Sequence, residues 1–281
     1  MPETIETPSG LQSGFADLGT HRLFYKLQGN GPRLLLITGT NSDTRHQPSI
    51  YDAPGAGRFS LLNFDHRGMG QSTSPTEDPS MESYADDIAR LLDHVGWDSA
   101  AVMGISFGGM VAQHFALRHP ERVKRLVLCC TSSGGAGGAS YPLHELQHLS
   151  AEGYAATIMK LMNVTHTDEW QAKYPARARQ TFDYYYQGAN AVFNDPVKFD
   201  AMKKQFAARA KHDLHDALRG LAVPTLVAAG KHDGVARPEN AEALADVIPD
   251  ARLKIFNGGH FFLREDPKAW PTVFGFLAGE H

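Results

Sequence analysis

The sequence is poor in cysteine, in long apolar runs and in excess charge of either sign. Two of its 281 residues are cysteines, adjacent at Cys129 and Cys130. In an apolar stretch these should be reduced, buried thiols rather than part of a disulfide framework. No apolar run approaches the ~20 residues of a membrane span. With 27 basic and 31 acidic residues, a net charge of −4, no positive field is expected to attract nucleic acid.

The start of the chain lacks the basic and then apolar pattern of a secretory signal. Residues 1–10 are polar and include Glu3 and Glu6. These absences predict a cytoplasmic protein with neither a membrane nor a nucleic acid as partner. The composition, 42% hydrophobic and 21% charged, is that of a globular protein. The predicted partner is a small-molecule substrate, and assembly into a homo-oligomer stays open.

Short apolar runs alternate with helical stretches along the chain, which is typical of a mostly parallel α/β sheet with crossover helices. The turn at 29–32 should join the first two strands as an antiparallel pair. The pattern predicts strands over 21–29, 33–38, 59–64, 100–105, 125–130, 224–229 and 251–256, and helices over 80–95, 107–118, 238–247 and 266–278.

One connection between strands is far too long for a single crossover. Residues 131–222 separate two predicted strands by about ninety positions. The connection begins with a glycine-rich stretch, and Phe199, Met202 and Phe206 later fall on one helical face. The sequence therefore predicts one core, made of 1–130 and 223–281, interrupted by a helical cap over 131–222.

A serine lies at a sharp turn between a predicted strand and a predicted helix. Residues 104–108 read G-I-S-F-G, a G-x-S-x-G pattern that lifts a serine hydroxyl clear of a sheet. A serine hydroxyl is a weak nucleophile unless a base takes its proton, and an imidazole oriented by a carboxylate is the usual base. Ser106 is therefore the predicted nucleophile.

Two later residues can supply the carboxylate and the imidazole. Asp233 and His260 each follow a predicted strand, at the carboxyl ends where open α/β sheets place their sites. The chain order Ser106, Asp233, His260 is that of serine nucleophiles on an α/β sheet. Asp65 is an alternative acid, although its place near Arg67 favours an ion pair or a loop hydrogen bond.

With these residues the sequence resembles the α/β-hydrolase superfamily from residue 21 to near residue 278. Residues 65–72, D-H-R-G-M-G-Q-S, are similar to the family's D-x-R-G-x-G-x-S loop, and Gly259-His260 precedes 265–267, E-D-P. The resemblance implies an eight-stranded, mostly parallel sheet flanked by helices, with a helical cap over the site. Among members of the family, the sequence looks most like small-molecule esterases, enol-lactonases and carbon–carbon bond hydrolases.

The chain departs from the family pattern after the third strand, where Thr38-Gly39 replaces the usual His-Gly. An oxyanion hole in this fold uses two backbone N–H groups, one directly after the nucleophile and one from this loop. Phe107 and Thr40 are the predicted donors, with Asn41 in reserve. The residues predicted to contact substrate are Gly39, Asn41, Trp170 and Tyr185.

The predicted activity is hydrolysis of a small carboxylic ester or lactone through an acyl-enzyme, with neither metal nor organic cofactor. Two alternatives stay open. The same triad could cleave a carbon–carbon bond in a vinylogous diketone, or the chain could be a ligand-binding protein on a hydrolase scaffold. Fold analogy does not choose between them, because one scaffold hosts many reactions.

A second motif points to different chemistry. Residues 144–148 read H-E-L-Q-H, the H-E-x-x-H pattern of helical zinc sites. Leu143, Leu146 and Leu149 give the same stretch an amphipathic helical pattern. The prediction is therefore a cap helix without metal, and any role for His144 and His148 stays open.

Overall fold

A computed structural model describes residues 5–6, 10–75 and 77–280. The described chain forms one mixed sheet. Its strands are β1 (Ile5–Glu6), β2 (Leu11–Asp17), β3 (Arg22–Gln28), β4 (Arg33–Ile37), β5 (Ser60–Phe64), β6 (Ala100–Ile105), β7 (Val123–Cys129), β8 (Thr225–Gly230) and β9 (Arg252–Phe256).

The sheet has the order β1-β2-β3-β5-β4-β6-β7-β8-β9. The six strands β4 to β9 run parallel to one another, and β1 to β3 are joined in antiparallel fashion at one edge. The predicted fold class is therefore confirmed: eight strands form the expected sheet, and the two-residue β1 extends its edge.

The predicted pairing of the strands at 21–29 and 33–38 is wrong, because β5 lies between β3 and β4. The turn between β3 and β4 contains glycines at the positions where the chain leading into β5 packs closely against it. A Cβ atom on Gly29 or Gly31 would collide with the backbone carbonyl of Phe59 or Arg58. The Ser60 N–H also donates to the Pro32 carbonyl (3.0 Å). In place of β4, β3 pairs with β5, and its other edge pairs with β2, a strand that was not predicted.

Helices cover both faces of the sheet and fill the long connection. Three of the four predicted helices match closely, and the fourth starts three residues later than expected. The helices are α1 (Met81–His94), α2 (Phe107–Arg118), α3 (Ala151–Met162), α4 (Asp168–Lys173), α5 (Pro175–Phe193), α6 (Pro196–Arg209), α7 (Pro238–Val247), α8 (Phe262–Glu265) and α9 (Ala269–Ala278).

Two apolar clusters form the core, one on each face of the sheet. Strand β4 shows the alternation: Leu35 and Ile37 belong to one cluster, and Leu34 and Leu36 to the other. Burial on both faces explains why the central strands are continuous apolar runs. Cys129 and Cys130 lie in the second cluster as unpaired, buried thiols, as their apolar surroundings predicted.

The 131–222 segment carries α3 to α6 and an apolar cluster of its own. Ile158, Met202 and Phe206 pack there with Val235 from the loop after β8. The end of the segment packs differently, since Leu218 and Leu221 belong to the core cluster. Throughout residues 5–6, 10–75 and 77–280, no helix has the length and apolar character needed to cross a bilayer.

The H-E-L-Q-H stretch does not form the predicted amphipathic α-helix. Leu143–Leu146 is a single 3₁₀ turn, and its period of three residues suits the burial of the leucines at both ends. His144 and His148 are exposed. Within the described residues, neither belongs to a cluster of metal-ligating side chains.

Candidate active site

Ser106 occupies a strained turn between β6 and α2. Its φ is +55° and its ψ is −118°, a backbone conformation that residues other than glycine rarely adopt. Close backbone packing enforces the turn. A Cβ on Gly104 would lie 2.7 Å from the Gly109 Cα, and one on Gly108 would meet the Ile37 carbonyl. This local geometry presents Ser106 to a large cavity, which it lines.

Asp233 and His260 form a buried pair beside the same cavity. The His260 Nδ1–H donates to Asp233 Oδ2 over 2.7 Å. The other carboxylate oxygen accepts the N–H groups of Val235 (2.7 Å) and Ala236 (3.0 Å). These bonds fix the carboxylate and place the imidazole proton on Nδ1, since a carboxylate only accepts. The Nε2 lone pair of neutral His260 is therefore available as a base.

The charge of Asp233 controls the titration of His260. Burial by itself lowers the pKa of His260, because it penalises the cation. The charge of Asp233, the neighbouring Cys130 and the hydrogen bonds to both outweigh burial, so the pKa of His260 lies well above its ordinary value of 6.5. The surroundings of His260 therefore favour its imidazolium form.

This electrostatic setting predicts the acid limb of the pH–rate profile. We expect kcat/KM to fall as pH drops through a midpoint above 6.5, because only the neutral imidazole accepts a proton. The measurement is kcat/KM for an ester from about pH 4 to about pH 9 at constant ionic strength. A rate that stays flat down to about pH 4 would contradict His260 as the base.

The two predicted oxyanion donors are the backbone N–H groups of Phe107 and Thr40. Phe107 is the first residue of α2, so its N–H has no acceptor within the helix. Gly39 packs against the serine, and a Cβ there would lie 3.4 Å from the Ser106 Cβ. The N–H of Asn41 is already used, because it donates to the Gln205 Oε1 (3.1 Å). This pairing favours the Thr40 N–H over Asn41 as the second donor.

Gln205 of α6 is a contact that the sequence analysis missed. Its side chain is fully buried, and its bond to Asn41 joins the 131–222 segment to the loop after β4. Asn41 has a φ of +59°, and the Ser42 N–H closes a turn on the Gly39 carbonyl (3.3 Å). Gln205 thus holds the loop in the conformation that presents Thr40.

We expect Gln205→Met to lower kcat about tenfold with little change in KM, a cost of ~1.4 kcal/mol in the transition state. The Asn41 N–H would lose its acceptor, and the loop that carries Thr40 would loosen. Steady-state kinetics give both constants. Met202→Leu is the matched control, since Met202 is also fully buried on α6. Equal losses in the two variants would show that only packing of α6 matters.

The end of α3 holds the loops of both buried partners. The Met162 carbonyl accepts the His260 N–H (2.6 Å), and the Leu161 carbonyl accepts the Gly234 N–H (2.8 Å). The last carbonyls of a helix have no intrahelical donor, so these bonds satisfy them. The 131–222 segment therefore contacts the Asp233 and His260 loops as well as the loop after β4.

The cavity has a volume of about 820 Å³ and a mostly apolar wall. Gly39, Asn41 and Tyr185, three of the residues predicted to contact substrate, line it. Trp170 is not brought together with them, since it stacks on His166 with ring centroids 4.2 Å apart. The aromatic part of the wall consists of Tyr154, Tyr184, Tyr185, Phe193, Phe261 and Trp270.

The D-x-R-G-x-G-x-S loop supports the site from behind. Asp65 is buried and accepts the N–H groups of Thr44 (2.6 Å) and Gln71 (2.8 Å), so it makes loop hydrogen bonds, whereas the carboxylate bonded to His260 is that of Asp233. His66 donates from Nε2 to the Thr38 carbonyl (3.1 Å). Burial lowers the pKa of His66 to about 4, so it is a neutral structural residue at pH 7.

Comparisons with known proteins agree with this architecture. A putative carbamate hydrolase, RutD, from Caulobacter sp. (strain K31) is 29% identical over 234 residues, which cover 79% of this chain and 82% of that protein. The structure of a hydrolase from Pseudomonas aeruginosa PA01 superposes with a TM-score of 0.75 at 26% identity, over 99% of this chain and 98% of that chain.

An enol-lactonase from Burkholderia xenovorans LB400 has the same fold, with a TM-score of 0.75 at 23% identity over 95% of this chain and 100% of that chain. The family defined by the alpha/beta hydrolase fold matches residues 32–267. That range includes the serine turn, the buried Asp–His pair and the segment between them. The chain therefore belongs to the alpha/beta hydrolase fold family, and it is an enzyme of the hydrolase class.

Proposed function

We propose that this hydrolase cleaves a small carboxylic ester or lactone without a cofactor, using Ser106, His260 and Asp233. One observation carries the proposal: a strained serine and an imidazole, itself bonded to a carboxylate at 2.7 Å, open onto one cavity. The enol-lactonase among the similar structures supports the same class of reaction. The proposed location is the cytoplasm.

The proposed reaction has two steps that share one base. His260 Nε2 takes the proton of the Ser106 hydroxyl as the oxygen attacks the substrate carbonyl. The N–H groups of Phe107 and Thr40 donate to the oxyanion, and the imidazolium returns the proton to the departing alcohol. Water then attacks the acyl-enzyme with His260 again as base, which releases the acid and restores Ser106.

The cavity wall indicates which esters fit. An apolar space of about 820 Å³ holds a drug-sized molecule, and such pockets gain affinity from buried apolar surface. We propose that the 131–222 segment is a cap that selects the substrate, since it contributes Tyr154, Tyr185 and Phe193 to the wall. Esters or lactones with an apolar or aromatic group are therefore the proposed substrates.

A substrate panel with an active-site label tests the proposal. We expect p-nitrophenyl esters and apolar lactones to be hydrolysed, and a fluorophosphonate to add one covalent label at Ser106, located by mass spectrometry. Faster turnover of a vinylogous diketone than of any ester would favour carbon–carbon bond cleavage. Absence of both labelling and turnover across esters, lactones, carbamates and diketones would overturn the proposal.

A further inference from the structure

Cys130 lies against the buried Asp–His pair, and the proposed reaction does not use it. The three residues follow adjacent parallel strands: Cys130 comes directly after β7, Asp233 follows β8 and His260 follows β9. One thiol sulfur, one carboxylate oxygen and one ring nitrogen lie within 4.8 Å of one another, and all three residues are buried. We propose that Cys130, Asp233 and His260 form an inhibitory binding site for a thiophilic divalent cation such as Zn²⁺.

The backbone fixes the thiol in this position. Cys130 has a φ of +41°, and its N–H donates to the Ala228 carbonyl of β8 (2.9 Å). The chain thus turns at the end of β7 while still bonded to the neighbouring strand. Cys129, one residue earlier, is equally buried but contributes no atom to the cluster found among the described residues.

The donor set and its spacing suit zinc. Thiolate, imidazole and carboxylate bind Zn²⁺ at ~2.0–2.3 Å in a tetrahedron, which places the donor atoms about 3.3–3.8 Å apart. The three donor atoms already lie within 4.8 Å of one another. A shift of the Cys130 sulfur by about an ångström toward the other two donors would bring them to zinc-binding distances. The Asp233–His260 contact would open from 2.7 Å. A hard cation such as Mg²⁺ prefers oxygen donors and is not expected to bind.

Metal binding here would stop the proposed reaction, on which this part of the inference rests. A metal on His260 Nδ1 replaces the proton shared with Asp233, and neutral imidazole then carries its proton on Nε2. That nitrogen can no longer accept a proton from Ser106. A metal on Nε2 would occupy the base itself. Of the three proposed ligands, His260 lines the cavity, so the ion would enter past its ring.

The protons balance when zinc binds. The Cys130 thiol proton is released to solvent, because the thiolate is the form that ligates. Asp233 contributes its carboxylate without losing a proton.

The test is a zinc titration of wild type, Cys130→Ala and Cys129→Ala in a buffer that does not chelate metals, each rate normalised to the variant's own metal-free rate. We expect wild type and Cys129→Ala to be inhibited alike and to recover with a chelator. The inhibition constant of Cys130→Ala should rise at least tenfold, because even loss of an outer-shell partner costs ~10–100-fold in metal affinity. Mg²⁺ should have no effect.

A second measurement does not depend on activity. Cd²⁺ should produce the ultraviolet charge-transfer band of a Cd–thiolate bond in wild type and Cys129→Ala but not in Cys130→Ala, with Cys130→Ser as replacement if alanine prevents folding. Absence of the band, or equal zinc inhibition of both cysteine variants, would overturn the site. If no substrate is turned over, the proposed function fails while the cadmium band still decides whether this site exists.

Discussion

Ser106→Ala is expected to lower kcat for p-nitrophenyl esters by a factor on the order of 10⁵–10⁶, close to the rate left by binding and oxyanion stabilisation alone. The variant lacks the nucleophile, because without the Ser106 Oγ no acyl-enzyme forms and His260 has no proton to take. Alanine tolerates the existing backbone at φ +55° about as well as serine does, so thermal unfolding should change little.

Ser42→Ala is the matched control for that experiment. Ser42 also lines the cavity, and the turn it closes uses its backbone N–H rather than its hydroxyl. We expect this variant to keep most of the activity and to remain open to fluorophosphonate labelling, whereas Ser106→Ala should lose both. If Ser106→Ala retained activity within tenfold of wild type, hydrolysis would not proceed through this serine.

The serine turn and the buried Asp–His pair could be located from sequence because their signals are local. The serine turn needs small residues at Gly104 and Gly108, and their absent side chains are what let α2 start directly behind β6. Asp233 and His260 each follow an apolar strand, and parallel strands bring their carboxyl ends to one edge. The serine turn and the loops of Asp233 and His260 therefore meet at one edge of the sheet. Their meeting can be predicted without knowing the structure of residues 131–222.

Contacts distant in sequence could not be predicted in this way. The insertion of β5 between β3 and β4 depends on which strand reaches Gly29 and Gly31, and periodicity carries no such information. Gln205 meets Asn41 across 164 positions. The amphipathic pattern of α6 shows that one face of the helix is buried, but it does not show which residues that face contacts. Trp170 is a similar case. Its aromatic side chain stacks on His166 rather than lining the cavity, and the sequence alone does not distinguish these two placements.

The 131–222 segment contacts the loops of the candidate active site as well as the cavity, so its sequence should affect both. Its helices contribute Tyr154 and Phe193 to the cavity wall, but they also bond to the Asn41 and His260 backbones through Gln205 and Met162. A substitution in this segment can therefore alter kcat without touching substrate. Sequence differences there should be interpreted as changes in positioning as well as in substrate fit.

Asp233→Asn is expected to lower kcat about 10⁴-fold while the fold persists. The asparagine Oδ1 can still accept the N–H groups of Val235 and Ala236, so its NH₂ group would face His260. An amide donor in that place favours the imidazole tautomer with its proton on Nε2, which cannot act as base. The measurement is single-turnover acylation, compared with wild type at the same pH.

The pH profile of the Asp233 variant provides an independent check. Because the Asp233 charge is the largest of the interactions that raise the pKa of His260 above 6.5 against burial, its removal should move any residual acid limb to lower pH. Asp65→Asn is the matched control, since that carboxylate is also buried and accepts two backbone N–H groups. Its loss should cost stability and leave the limb in place. A limb that moved with Asp65 rather than with Asp233 would reassign the acid.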